Sequence, residues 1–150
     1  MKNYQTSEIK NVVLLGAPGS GKTTFAEAMA FEGKVIDRRG SIENENTLSD
    51  NTDLEHSNRR SIYSTILYTE FMNHKLNIID APGSDDFSGG LFAAFKVADV
   101  GLMLFNAQNG FEVGSEIQSR YAKTYNVPLV GVINQLDSEK ANWEGTLESI

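Results

Sequence analysis

The chain reads as an α/β protein: a three-layer sandwich with a mostly parallel sheet and one antiparallel edge strand. Three observations predict it. Short apolar runs alternate with helical stretches along the 150 residues, the order that builds a parallel sheet with crossover helices. The run Val12-Val13-Leu14-Leu15 leads directly into Gly16-Ala17-Pro18-Gly19-Ser20-Gly21-Lys22-Thr23 and then into a helix. That strand–glycine loop–helix order is the context of a phosphate-binding loop. Two further strand-like runs, 62–71 and 76–79, are joined at Asn73-His74, which inserts one antiparallel hairpin into the alternation.

Taken in order, the first strand covers 11–15, and the helix after the glycine loop covers 24–31 and ends near Gly33. Residues 34–60 are polar and without period, including Glu43-Asn44-Glu45-Asn46 and Ser49-Asp50-Asn51-Thr52-Asp53. A structureless stretch that long inside a compact domain is usually functional or mobile. After the hairpin come Asp80-Ala81-Pro82-Gly83, a polar loop to Gly90 and a helix over 91–98. The continuous apolar run 100–105 is a strand buried on both faces. A turn at Gln108-Asn109-Gly110 precedes a helix with Val113, Ile117 and Tyr121 on one face. Another buried strand is expected at 129–133, and a further helix begins within 138–150.

Composition bounds the partners. The content of 40% hydrophobic and 22% charged residues is ordinary for one globular domain. A net charge of −7 argues against direct nucleic-acid binding by this domain's overall field. The N-terminus is polar, no apolar run approaches the roughly 18 residues of a membrane span, and there is no cysteine. A cytoplasmic, monomeric domain without membrane contact is the expectation.

Three motifs carry chemistry. In Gly16–Thr23 the glycines let the backbone close on a β-phosphate, and N–H groups of the loop and first helical turn point at it. Lys22 reaches the β- and γ-phosphates, and the Thr23 hydroxyl is placed to ligate Mg²⁺, with Thr24 beside it. This is the signature of a P-loop NTPase. Asp80 ends an apolar strand, where a carboxylate faces the ligand crevice of an open α/β sheet. It is expected to hold Mg²⁺ through a water as the partner of Thr23, and the N–H of Gly83 to meet a γ-phosphate. Asn134-Gln135-Leu136-Asp137 directly follows the expected buried strand 129–133, where GTPases carry Asn-Lys-x-Asp. Asp137 would accept the N1–H and 2-amino hydrogens of guanine. Against adenine the same carboxylate would be left unpaired. Gln135 in place of lysine should weaken affinity without changing the base that is read.

With these residues in view, the chain resembles the GTP-binding domain of translation elongation factor G, and more narrowly that factor's G-like paralogues. The resemblance rests on Gly16–Thr24, Lys75-Leu-Asn-Ile-Ile-Asp-Ala-Pro-Gly83, Asn106-Ala-Gln-Asn-Gly-Phe-Glu112 and Asn134-Gln-Leu-Asp137. It implies a ribosome-dependent GTPase that uses GTP and Mg²⁺, the first domain of a multidomain protein. The chain also departs from the family. Ser84 stands where the family has the histidine that positions the attacking water, and Ala81 replaces a threonine. Gly19 stands where translational GTPases carry an aspartate. For the family's Arg-Gly-Ile-Thr, an ungapped count back from Asn77-Ile-Ile-Asp80 puts Ser61 at the metal-binding threonine; aligning Arg60 with the family arginine puts Tyr63 there. Ser61 is favoured, because a serine hydroxyl can do the threonine's work.

In such GTPases another strand and a Ser-Ala motif follow Asp137. Neither is found here, so a C-terminally truncated piece that stops before the last strand is expected. His56 and His74 read as surface residues and Asp85-Asp86 as a solvated loop. Trp143, Phe92, Phe95 and Phe105 read as core packing. Two other functions compete with an active GTPase: a GTP-dependent ribosome-binding switch that does not hydrolyse, and an ATP-using phosphotransferase.

Overall fold

A computed structural model describes residues 3–58, 60–83 and 88–150. Its five strands are β1 (Ile9–Leu15), β2 (Thr65–Phe71), β3 (His74–Asp80), β4 (Val100–Asn106) and β5 (Leu129–Asn134). The sheet order is β2-β3-β1-β4-β5. Only the β2–β3 pair is antiparallel. The helices are α1 (Lys22–Glu32), α2 (Asp53–Asn58), α3 (Ser88–Phe95), α4 (Val113–Thr124) and α5 (Trp143–Ser149).

The strand period of two divides β1 between two cores. Val12 and Leu14 pack with Ile78, Leu104 and Ala26 of α1. Val13 and Leu15 pack with Ile79, Met103, Phe105 and residues of α3 and α4. Each core side chain is thus covered by helix on its own face, which makes the fold the expected three-layer sandwich with its mostly parallel sheet. The β2–β3 turn falls one residue earlier than expected, at Met72 and Asn73, with φ of 47° and 63°. Both being left-handed is the requirement of a two-residue hairpin whose twist matches its strands.

Three elements differ from the sequence reading. The polar segment before β2 contains α2 and is tied down, as described below. In α4 the residues turned inward are Ser115, Gln118 and Ala122, while Val113 is 71% exposed. Tyr121 instead meets Phe92 of α3 edge-on, ring centroids 4.8 Å apart; small and amide side chains face the sheet because the glycine loop lies against that face. β5 is an edge strand, with Leu129 and Val130 38% and 51% exposed. Trp143, expected in the core, is 50% exposed. An unbroken apolar run reports strand character but not whether neighbours cover both its faces. His74 is exposed at the hairpin, whereas His56 is half-buried with Nε2 2.9 Å from the Asp50 carbonyl oxygen. Asp85 and Asp86 lie outside the described residues.

Candidate functional site

Strand order reverses around β1, which has β3 on one side and β4 on the other. A crevice forms beyond the carboxyl ends of parallel strands at such a point, and the Gly16–Thr23 loop leaves β1 there. Its glycines are demanded by geometry. Gly16 has φ 132°, and a Cβ on it would strike the Leu104 carbonyl. Gly21, with φ 92°, is the left-handed residue from which α1 starts.

Lys22 and Thr23 are buried, and Lys22 Nζ donates to the carbonyls of Gly16 (2.9 Å) and Ala17 (3.1 Å). Burial draws the lysine pKa down to about 8, against the pull of Asp80 and Asp50. The Thr23 hydroxyl donates to Asp80 Oδ2 at 2.8 Å and lies 3.1 Å from Ser61 Oγ. Three residues distant in sequence therefore meet at one point. Tyr63, the alternative to Ser61, is 57% exposed.

These groups open onto a cavity of about 290 Å³, lined by Pro18, Gly19, Gly21 and Lys22 through Thr24, by Ile42, Glu43, Asp50, Arg60 and Ser61, and by Gln135. Asp80 Oδ1, Asp50 Oδ1, Ser49 Oγ and Ser20 Oγ are buried beside it without a hydrogen-bond partner among the described residues. Burial raises the pKa of Asp80, offset in part by its Thr23 bond, and raises that of Asp50, offset in part by Ser61. Carboxylates that are buried and incompletely satisfied fit a hard divalent cation, which takes oxygen ligands. Thr23, Ser61, Asp80 and Asp50 form such a set.

The segment 40–63 is held by two buried glutamates. Glu27 of α1 accepts from the backbone N–H groups of Gly40 (2.9 Å) and Leu48. Glu55 accepts from the N–H groups of Ile62 (3.1 Å) and Tyr63 (3.2 Å) and from Thr52 Oγ1 (2.8 Å). Its pKa is lowered although burial, the largest single influence, acts the other way; the bonds from Ile62, Thr52 and Tyr63 together outweigh it. On the far side of the cavity, Asn134 Nδ2 donates to the Ser20 carbonyl (2.9 Å) and Gln135 Nε2 to the Gly19 carbonyl (2.8 Å). Gln135 Oε1 accepts from Asn106 Nδ2 at 2.8 Å. Asp137 is exposed and outside the cavity lining. Ser84 lies outside the described residues.

Asp50, Glu27, Glu55 and Gln118 carry no motif. Gln118 of α4 accepts from the Gly16 N–H (2.7 Å) and reaches the Gly83 carbonyl (3.4 Å), joining the first two motifs from a third element. For Glu27, Glu55 and Gln118 the one signal is negative, an acidic or amide residue on the buried side of a helix; Asp50, outside any helix, carries none.

Comparison with known proteins decides the family. A profile of the elongation factor Tu GTP binding domain matches residues 7–150. The chain belongs to this family. It is 32% identical over 139 residues to the elongation factor G-like protein of Mycobacterium tuberculosis, covering 93% of this chain and 20% of that one. It is 32% identical over 149 residues to elongation factor G of Dehalococcoides mccartyi, covering 99% of this chain and 22% of that one. A Thermus thermophilus protein of known crystal structure superposes with a TM-score of 0.90 at 32% identity, over 95% of this chain and 21% of that one. The chain spans about a fifth of the length of the curated relatives it matches. It is a P-loop GTP-binding domain of the elongation factor G type, and membership implies binding of a guanine nucleotide. No helix among the described residues is long and apolar enough to cross a membrane.

Proposed function

We propose that the chain binds GTP and GDP together with Mg²⁺ and turns GTP over slowly, as the first domain of a longer elongation-factor-G-like protein that acts on cytoplasmic ribosomes. The observation that carries this reading is the meeting of Thr23, Asp80 and Ser61 beside Lys22 at the strand-order reversal. In it, Lys22 leaves the loop carbonyls for the β- and γ-phosphates. The N–H groups of the loop, with that of Gly83, hold the phosphate oxygens. Thr23 and Ser61 offer hydroxyls to the cation, and Asp80 and Asp50 orient its water ligands. Bound there, Mg²⁺ would neutralise charge developing on the β- and γ-phosphate oxygens. Gln135 and Asn134 brace the glycine loop from the base side, and Asp137 reads guanine.

Slow turnover follows from Ser84. A group that positions or deprotonates water is worth roughly 10²–10⁴-fold. A serine is shorter than histidine and takes no positive charge. The remaining donors act on the phosphates rather than the water, so binding should survive better than turnover. The same observation supports a second reading, a GTP-dependent ribosome-binding switch without hydrolysis.

Calorimetry with GTP, GDP and ATP tests nucleotide choice, with ATP expected to compete poorly; equal affinity for GTP and ATP would end the reading. Phosphate release by the full-length protein, with and without ribosomes, then separates the two functions. Wild type is expected to be slow and Ser84→His faster. Wild-type turnover equal to that of an ordinary elongation factor G would overturn the claim of slow hydrolysis.

A further inference from the structure

Arg60 lies directly before Ser61, at the mouth of the nucleotide cavity. Arg60 lines the same cavity as Lys22 and Ser61. They are the cavity's two cationic residues among those described, facing Glu43 and Asp50. Lys22 is buried and bonded to loop carbonyls. Arg60 is exposed, and among the described residues its guanidinium has no ion-pair or hydrogen-bond partner.

Its backbone, by contrast, is fixed. The Arg60 N–H donates to the Glu55 carbonyl at 3.3 Å. Two residues on, the Ile62 N–H donates to Glu55 Oε1 at 3.1 Å. Between them, Ser61 Oγ sits 3.1 Å from Thr23 Oγ1. The main chain at 60–62 is thus pinned at the end of the cavity where Thr23 and Asp80 meet, while a long cationic side chain with five unclaimed N–H donors remains able to swing. An anchored backbone carrying an uncommitted planar donor suits charge that appears only in a transition state.

Resting on the reading of the site as a GTP site, we propose that Arg60 is a catalytic residue supplied in cis, whose guanidinium contacts the γ-phosphoryl group as it is transferred to water. The water oxygen forms a bond to the γ-phosphorus and the bond from that phosphorus to the β–γ bridging oxygen breaks. The bridging electron pair stays with GDP, and the water's proton passes to phosphate and solvent. Arg60 accepts no proton. It neutralises charge on the γ and bridging oxygens, the role for which an arginine in other nucleotide hydrolases is worth about 10³–10⁵-fold. In this role Arg60 would supply the slow turnover proposed above for a chain with serine at position 84.

The test compares GDP with GDP plus aluminium fluoride, which imitates the transferring phosphoryl group, by titration of the full-length protein with a fluorescent GDP in the presence of ribosomes. Single-turnover GTP cleavage is followed in parallel. In wild type, fluoride should tighten binding. In Arg60→Ala, GDP affinity should stay within about threefold while the fluoride gain falls at least tenfold, and cleavage should fall by a similar factor. Arg60→Lys should keep part of the gain, since the charge remains but the planar fork is lost. Intact GDP binding with an unchanged fluoride gain in Arg60→Ala would overturn this inference alone. So would equal losses for GDP and its fluoride complex, which mark an ordinary phosphate contact, or a wild type that gains nothing from fluoride. Weakened ribosome association with an unchanged fluoride gain would assign the guanidinium to docking instead. Failure of the wild type to bind GDP would remove the site reading, and this inference with it.

Discussion

At one end of the crevice Lys22, Thr23, Asp50 and Asp80 are at most 7% exposed and converge from three separate segments. At the other end Asn134 and Gln135 are half-buried, Asp137 is exposed, and all three extend from an edge strand. The phosphate end is assembled at the centre of the sheet, where helices cover both faces. The base end hangs from its margin, and its only described links to the loop are two amide hydrogen bonds. Burial strengthens electrostatics and penalises every unmet group. Affinity should therefore reside at the phosphate end and be intolerant of change, whereas base choice should be adjustable at modest cost.

The largest effect expected is at Lys22. Lys22→Ala should weaken GTP binding by about 100-fold or more, because charge-assisted bonds to phosphate are lost in a buried setting. A loss below tenfold in calorimetry would show that the loop amides dominate. The pH dependence sharpens the point. With the free-state pKa at about 8, the lysine is neutral above that value, so GTP affinity should fall as pH rises through 8 and binding should take up a proton. Stability runs the opposite way. A lysine pKa depressed by folding means that the nucleotide-free chain gains stability as pH rises from 8 towards 10.5. That gain should be absent in Lys22→Ala.

Next in size is the base end. Asp137→Asn should cost GTP about 10–100-fold, as one paired, partly solvated contact is lost, and shift preference towards xanthosine triphosphate, whose 2-oxo group accepts the amide hydrogen. Competition between the two nucleotides reads it directly; unchanged preference would place base recognition elsewhere.

The smallest effect concerns the brace of the phosphate end. Glu55→Gln replaces a carboxylate that accepts several N–H bonds by an amide that offers hydrogens to donors, a cost of about 1–3 kcal/mol. Because its folded pKa is lowered, the stability Glu55 contributes is present above the ordinary glutamate range and is lost as pH falls through the lowered value. The variant should unfold earlier at neutral pH and show a flatter acid limb in thermal scans. An unchanged acid limb would show that the segment 51–63 is held by other contacts.

The glycine loop, the placement of Asp80 at a strand end and the position of Asn134 at the end of β5 were legible in the sequence, because each is a local property. Apolar runs set strand positions, and left-handed φ and close approach demand glycine within a few residues of the strand they follow. A mostly parallel sheet with one antiparallel strand followed from the same local signals through connection rules, whereas the strand order β2-β3-β1-β4-β5 is a property of the tertiary structure. Only the tertiary structure decided which hydroxyl stands beside Thr23, since Ser61 and Tyr63 lie two residues apart and differ in where the 40–63 segment is pinned. Glu27 and Glu55 do that pinning through bonds to backbone N–H groups, which every residue but proline possesses and which leave no mark on the identity of the partner. The exposure of β5 and Trp143 was equally hidden. Hydrophobicity records a residue's cost in water, and burial is set by which neighbours the fold brings against it.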